Sequence, residues 1–439
     1  MDISRWWRSR SRLPISILTL GVAATLAITT LAQPRRPLCD DGNGGITLPA
    51  GFCAAVVADN VGFARHMVLS PRGDLYVMQR AIREGSPPGS IIALRDADGD
   101  GRFEQQERFG EKDLTGTGIA WRENFLYVGA DTKIVRYRMG DTLVPQGQPE
   151  VIVSGFDPDR QHAAKPFAFG EKGELFVHVG PPSNACQNPD RKPGVAGQKP
   201  CPILEEHAGI WKYDANTPNQ KHAADKRYST GMRHTVSLVW NPATRSLYGV
   251  QHGRDALDTL WPKLFDAKQN SELPAEEMQA YTEGANFGWP YCYYDPFQKK
   301  RILAPEYGGD GKQEGDCAKY NQPLVAFPAH YGPNDLMFYT GSQYPQQYRD
   351  GAFVAFHGSW NRAPLPQGGY NVTFVPFKGG KPAGEPTVFA DKFGGPTPVM
   401  EPRNAAYRPS GLALARDGSI YVSDDTKGRI WKISYMGQQ

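Results

Sequence analysis

Apolar and polar positions alternate in short bursts along most of the chain, and no stretch keeps the i, i+3, i+4 spacing of a long amphipathic helix. The bursts share a phrase: a small turn, often Asp-Gly or a variant, followed by Leu-Tyr-Val or a near relative. It occurs at residues 71–77, 124–128, 172–177, 244–249, 351–355 and 417–422. Several copies are followed by a second burst that opens on Ile and carries Tyr or Trp, at residues 134–137, 210–213 and 430–433. A repeat of about fifty residues that holds four strands is a propeller blade. Six copies predict an all-β, six-bladed β-propeller with longer insertions between the third and fifth. The burst at residues 54–58 is expected to complete the blade that the C-terminal strands begin. Residues 167–179 read as a hairpin, with Phe167 and Phe169 on one strand, a turn at Glu171, Lys172 and Gly173, and the second strand from Leu175 to Val179. A string of separate small β domains is the alternative, but no linker-like stretch divides the repeats.

Composition agrees with this pattern. The 48 Gly and 37 Pro, with 20 Tyr and 20 Phe in 439 residues, suit short strands joined by tight turns. At the N-terminus Arg5, Arg8, Arg10 and Arg12 precede an apolar run over residues 13–31. This predicts a secretory signal peptide over residues 1–32, leaving 33–439 as one propeller domain. An uncleaved membrane anchor is the alternative, against which the many Thr, Ala and Gly residues of the run argue. Those four arginines against Asp2 equal the chain's whole formal charge of +3, so the mature protein is near neutral and a nucleic-acid partner is not expected. The six cysteines form three sequence-local pairs, 39 with 53, 186 with 201 and 292 with 317, each bracketing a loop rich in Gly, Pro or Asn. An even count in an exported chain predicts three disulfides in that pairing, and no cysteine or histidine cluster has zinc-ligand spacing.

In a propeller the loops leading into the innermost strands meet at one mouth of the central channel, where chemistry is sought. His162, in a loop before the third blade, can take a proton near neutral pH, and Lys165 beside it could hold an anion. Residues 230–234 and 251–255 flank strands of the fourth blade, 330–333 and 357–362 those of the fifth, and Arg408 opens the sixth. The clusters bring Arg and His together with Trp and Tyr, which suits a flat, polyanionic, aromatic ligand. Separately, Asp96, Asp98, Asp100 and Glu107, with Gly99 and Gly101 between them, match a calcium loop placed in a hairpin; a calcium-free acidic turn is the other reading.

Residues 162–165, 230–234, 251–255, 284–293, 357–362 and 408–413 together resemble the sorbosone dehydrogenase branch of the soluble pyrroloquinoline quinone (PQQ) dependent sugar dehydrogenases. The resemblance covers roughly residues 47–435, and the phrases at 288–292 and 357–362 are its most specific parts. It implies a six-bladed propeller with PQQ and Ca²⁺ at the channel mouth, oxidising an aldose or aldehyde hydrate by hydride transfer. On that resemblance His162 is the base that removes the substrate hydroxyl proton, and Arg233 faces the reactive quinone carbonyl. Gln251, His252 and Gly253 stand where backbone carbonyls hold the calcium. Arg408 and Arg362 resemble the residues on the cofactor's carboxylates, with Lys165, His234, His330, Trp360 and Asn361 completing the cofactor pocket. His234 replaces the usual Asn, Lys165 a common Arg, and residues 112–118 do not match the glutamine that sugar-oxidising relatives place near the base. These departures bear on substrate choice more than on the cofactor.

The partners expected are a small sugar, an external electron acceptor such as a quinone or cytochrome, and a membrane only through the leader if it stays uncleaved. The location expected is periplasmic or secreted. Two other functions compete. A cofactor-free binding or scaffolding propeller would lack the base or the basic residues, yet all are present. A calcium-dependent lactonase would need several carboxylates in the channel, yet the one strong acidic cluster lies in a hairpin.

Overall fold

The recurring phrase falls on the second strand of each of six sheets: Leu75–Gln79, Phe125–Ala130, Glu174–Val179, Ser246–His252, Ala352–Phe356 and Ile420–Asp424. The computed structural model describes residues 37–81, 89–112, 114–158 and 161–437, so the expected leader over residues 1–32 lies outside the described residues. The phrase is apolar because of where that strand sits. Flanked by strands of its own sheet and covered on both faces by neighbouring blades, it has no solvent side: Leu75–Gln79, Phe125–Ala130, Ala352–Phe356 and Ile420–Asp424 are buried at every position. The outer strand Gln105–Phe109 contains no fully buried residue and carries no such signature.

Each sheet is antiparallel with four strands, and one gains a short fifth strand, Gln220–Lys221, in parallel pairing. Taken in chain order as blades 1 to 6, their innermost strands are Ala64–Leu69, Gly116–Arg122, Phe167–Phe169, His234–Asn241, Pro333–Phe338 and Pro409–Leu414. These six neighbour one another around a ring, the last packing against the first. The hairpin expected at residues 167–179 is present, with Phe167 opposite Val177 and Phe169 opposite Leu175. The ring is closed by Phe52–Ala58, which pairs with Ile430–Tyr435 as the outer strand of blade 6, Phe52 facing Tyr435 and Val56 facing Trp431. Closure of this kind leaves a first and last blade that cannot peel apart without breaking a whole ladder of hydrogen bonds.

The spaces between blades are filled by aromatic rings. Between blades 5 and 6, Phe353, Phe374, Phe389, Tyr344, Tyr348 and Trp431 join one buried cluster, with the rings of Phe353 and Phe389 4.9 Å apart. Among the described residues no helix is long and apolar enough to cross a membrane.

The three cystines pair as expected, with Cα atoms 5.5 Å apart for Cys39–Cys53, 6.2 Å for Cys186–Cys201 and 5.9 Å for Cys292–Cys317. Three cystines and no free thiol among the described residues mark an exported protein. Two of them lie in the insertions of blades 3 and 4, where the chain leaves the sheets over residues 180–208, 253–275 and 282–324.

The acidic loop joins the third and fourth strands of blade 1, Ile91–Arg95 and Gln105–Phe109, as the hairpin reading requires. Its fourth carboxylate differs from expectation. Glu107 lies inside the ladder opposite Ala93, and its Oε1 accepts from Gln105 Nε2. Glu104 takes its place: oxygen atoms of Asp96, Asp98, Asp100 and Glu104 lie within 4.8 Å of one another. A strand residue cannot turn back into a loop three positions away, whereas Glu104 still belongs to the loop and its Oε2 accepts from the amide of Ala97.

Candidate active site

All six blades deliver a side chain to one mouth of the channel, because each inner strand starts there. Arg65 comes from the start of blade 1, Thr117 from blade 2, and His162 from the loop before blade 3. Arg233 and His234 come from the start of blade 4, Asn334 from blade 5 and Arg408 from the residue before blade 6. The second strands end at the same level and add Arg80, then His252, Gly253 and Asp255, and His357. Together they line a cavity of about 390 Å³. Trp360, 62 % exposed, stands at its rim.

His162 adopts φ 52°, in the left-handed region that costs a residue with a side chain, and its neighbours are shaped to hold it there. A Cβ on Gly180 would lie 2.6 Å from both the Cβ and the carbonyl oxygen of His162, so glycine is what lets the loop lie flush on the sheet. The Nδ1 of His162 is 2.7 Å from the carbonyl oxygen of Pro181. A carbonyl only accepts, so Nδ1 carries the hydrogen and Nε2 keeps its lone pair. Burial, and then the charge of Arg233, hold its pKa well below 6.5, which keeps the ring neutral.

Arg233 is 5 % exposed. Its Nη1 donates to the carbonyl of Gly253 at 2.8 Å and its Nη2 to Asp255 Oδ2 at 2.7 Å, while its amide donates to Gln251 Oε1 at 3.2 Å. Asp255 also accepts from Arg191 at 3.1 Å and from Asn361 Nδ2 at 3.1 Å. Its carboxyl is itself desolvated, but these cations hold its pKa well below the usual carboxylate range. The ring of His234 lies between those of His162 and His252, with centroids 4.8 and 5.0 Å away. The Nδ1 of His234 is buried without a hydrogen-bond partner, as are Arg233 Nε and Asn361 Oδ1.

On the opposite wall, Asp425 Oδ1 is 2.7 Å from His357 Nε2, and its Oδ2 lies 3.4 Å from Arg65 and 3.8 Å from Arg80. Arg408 donates from Nε and Nη2 to the carbonyls of His357 and Gly358 at 3.0 and 2.6 Å. Burial brings His357 down to about 4 and pushes Glu276, on the cavity wall, up to about 8. Glu276 accepts from the amides of Gly253 and Gly332 at 2.7 and 3.2 Å. At neutral pH four guanidinium groups therefore stand against the ionised Asp255 and Asp425, and the cavity is left with an excess of positive charge.

Of the residues singled out in the sequence, His162, Arg233, His234, His252, Gly253, His330, Trp360, Asn361 and Arg408 line this cavity. His330 turns Nε2 to the carbonyl of Asn270 at 2.7 Å. Three others do not line it. Lys165 is 2 % exposed and donates from Nζ to the carbonyl of Ala163 at 2.6 Å, over the ring of Phe156. Arg362 donates to the carbonyls of Ser271 and Ala329, both at 2.9 Å. Gln251 faces a smaller neighbouring cavity of about 30 Å³ with Arg254 and Glu277. Sequence reasoning missed Arg65, Arg80 and Glu276 and gave Asp255 and His357 no role of their own. Arg65 could have been found by aligning the repeats, since Arg65-His66 opens blade 1 as Arg233-His234 opens blade 4. Glu276 left no signal, being one of two adjacent glutamates after a proline-alanine pair.

Residues 46–436 match the TrAA12-like family. The chain belongs to that family. Among curated relatives, an uncharacterized protein of Borreliella burgdorferi is 26 % identical over 220 residues, which is 49 % of this chain and 51 % of that protein. A pyrroloquinoline quinone-dependent pyranose dehydrogenase of Coprinopsis cinerea is 30 % identical over 191 residues, 37 % of this chain and 25 % of that protein. The chain thus spans about half the length of the first of these relatives and a quarter of the second. Two solved structures share the fold throughout. The calcium structure of Trichoderma reesei Carbohydrate-Active Enzymes Family AA12 has a TM-score of 0.72 at 17 % identity, covering 93 % of this chain and 99 % of that one. The holo form of the pyranose dehydrogenase PQQ domain from Coprinopsis cinerea has a TM-score of 0.69 at 18 % identity, covering 92 % and 98 %.

Proposed function

We propose that the protein is an exported, PQQ- and calcium-dependent dehydrogenase that oxidises an aldose or sugar aldehyde and passes the electrons to an external quinone or cytochrome. The observation that carries this reading is a neutral, tautomer-fixed imidazole, His162, inside a cavity whose four guanidinium groups exceed its ionised carboxylates. The donor set fits the cofactor. A flat tricarboxylate suits an excess of guanidinium charge, and the partnerless Arg233 Nε and His234 Nδ1 are buried polar atoms of the kind a bound polar ligand satisfies.

When bound, the quinone would accept a hydride from the substrate carbon, with calcium polarising its carbonyl. His162 Nε2 takes the substrate hydroxyl proton, so negative charge need not build on the sugar. Arg233, held by Asp255 and Gly253, offers its guanidinium to the oxygen on which charge develops. Arg408, with Arg65 and Arg80, would hold carboxylates on the far wall, and Trp360, Asn361, His234 and His330 would frame the ligand. Lys165 and Arg362 would serve the pocket through the loops they fasten. For calcium at the cofactor, Gln251, His252 and Gly253 would supply carbonyl oxygens; that of Gly253 already accepts from Arg233 but has a second lone pair.

The test is reconstitution. Purified protein given PQQ and Ca²⁺ is expected to show a bound-quinone spectrum that changes on adding an aldose, and the absence of both binding and spectral change across a panel of sugars would overturn the reading. A second calcium is proposed in the blade 1 hairpin, held by Asp96, Asp98, Asp100 and Glu104. Calcium is expected to raise the thermal midpoint of the wild type and of Glu107→Gln but not of Glu104→Gln, with PQQ binding unchanged in all three. A rise lost in Glu107→Gln and kept in Glu104→Gln would return the ligand to position 107.

A further inference from the structure

Between the second and third strands of blade 3 the chain leaves the sheet over residues 180–208 and is closed on itself by Cys186–Cys201. This insertion grips the site on two sides. Toward the base, the carbonyl of Pro181 accepts from His162 Nδ1 at 2.7 Å, and Gln161 Nε2 donates to the carbonyl of Pro182 at 3.3 Å and to Asp190 Oδ2 at 3.2 Å. Toward Arg233, Asn184 binds both backbone groups of Asp255, its Nδ2 donating to the carbonyl at 3.0 Å and its Oδ1 accepting from the amide at 3.1 Å. Arg191 reaches the same Asp255 Oδ2 that accepts from Arg233.

Asp190 joins the two grips. Its Oδ1 accepts from Ser183 Oγ at 2.6 Å and from the amide of Asn184 at 3.1 Å, while Oδ2 reaches Gln161. The back of the insertion is fixed to blade 4, where Trp289 Nε1 donates to the carbonyl of Asn184 at 2.9 Å and the amide of Cys201 to Tyr291 Oη at 3.0 Å.

We propose that this insertion is a strap that sets the base against the arginine, with Asp190 and Asn184 as positioning residues. The inference rests on His162 being the base, as argued under the proposed function. His162 is held in a left-handed conformation it does not favour by itself, and its tautomer is fixed by a carbonyl that belongs to the strap. His162 and Asp255 come from different blades, and the strap bonds directly to both. A single carboxylate that ties Gln161 to Ser183 and Asn184 therefore controls both the direction of Nε2 and its separation from Arg233.

The experiment compares full-length wild type with Asp190→Asn, which keeps the shape but replaces one carboxylate oxygen by a donor that faces the donor Gln161 Nε2. Gln161→Ala removes the same contact from the other side and decides the matter if Asp190→Asn does not fold. Nitrogen-15 NMR of histidine-labelled protein without cofactor reads the tautomer, with the His162 signals assigned by their loss in His162→Asn. The wild type is expected to show a hydrogen on Nδ1. Both strap variants should lose that single tautomer, and with saturating PQQ and Ca²⁺ their kcat should fall about 10–100-fold while the PQQ Kd stays within about twofold. A purely structural role would lower thermal midpoint and cofactor occupancy together, leaving the tautomer and the turnover per bound cofactor unchanged, and that result overturns the proposal. If the wild type turned over no sugar, the functional reading would fall, while the tautomer comparison would still decide the strap.

Discussion

Replacing His162 by alanine is expected to cut turnover about 10²–10⁴-fold, the range typical of losing a general base, while PQQ affinity changes little. The geometry separates the two effects. The ring is held by Pro181 and lies tilted against that of His234, and no charge on it contributes to holding an anion, because its pKa lies well below 6.5. The same shift sets the pH dependence. The neutral ring is the active form, and depressing its pKa extends that form toward acid. The kcat/KM of the wild type should therefore hold steady as pH falls through 6.5 and decline only below it, where an exposed histidine would already be half protonated. Two measurements check this: a pH–rate profile, and quinone titration of His162→Ala followed by its rate at saturation. Wild-type turnover by His162→Ala would move the base elsewhere, with His234 and His330 next in the same cavity.

The fold was legible in the sequence to the extent that one strand per blade has no solvent side. Leu75–Gln79 and its five equivalents are mostly buried, with apolar residues at their centres, so the phrase recurs six times, and its period gives the blade count. The closing strand Phe52–Ala58 could be placed because a ring of this kind needs a partner for Ile430–Tyr435. Side-chain direction was less legible. Lys165 sits three residues after His162, but its long chain folds back to its own loop and over the ring of Phe156, which sequence spacing does not reveal. Arg362 likewise follows Asn361 directly yet turns to backbone carbonyls of Ser271 and Ala329. The far wall was missed because Arg65, Arg80 and Asp425 are separated by up to 360 positions in sequence and brought together only by ring closure. The spacing of a helical calcium loop points to Glu107; in a β-hairpin the ladder resumes before that position is reached, and Glu104 is the carboxylate that stays with the loop.

Arg408→Ala is expected to do the opposite of His162→Ala, weakening PQQ binding while leaving much of the rate recoverable at saturating cofactor. Two of its three guanidinium nitrogens donate to the carbonyls of His357 and Gly358, which fixes the side chain against blade 5. The group is thus oriented before any ligand arrives, and little entropy is lost in using it. A charge-assisted hydrogen bond is worth about 1.5–3 kcal/mol, so its loss should raise the PQQ Kd about 10–100-fold. Arg408→Lys keeps the charge but cannot serve both carbonyls, so it should fall between wild type and alanine. Added salt should weaken the wild type more than Arg408→Ala, because the charge that salt screens has been removed from the variant. Titration of cofactor into each variant at two ionic strengths measures all three expectations. An unchanged Kd for Arg408→Ala would mean that the carboxylates are held by Arg65 and Arg80 alone, and that Arg408 serves only to pin the His357–Gly358 turn.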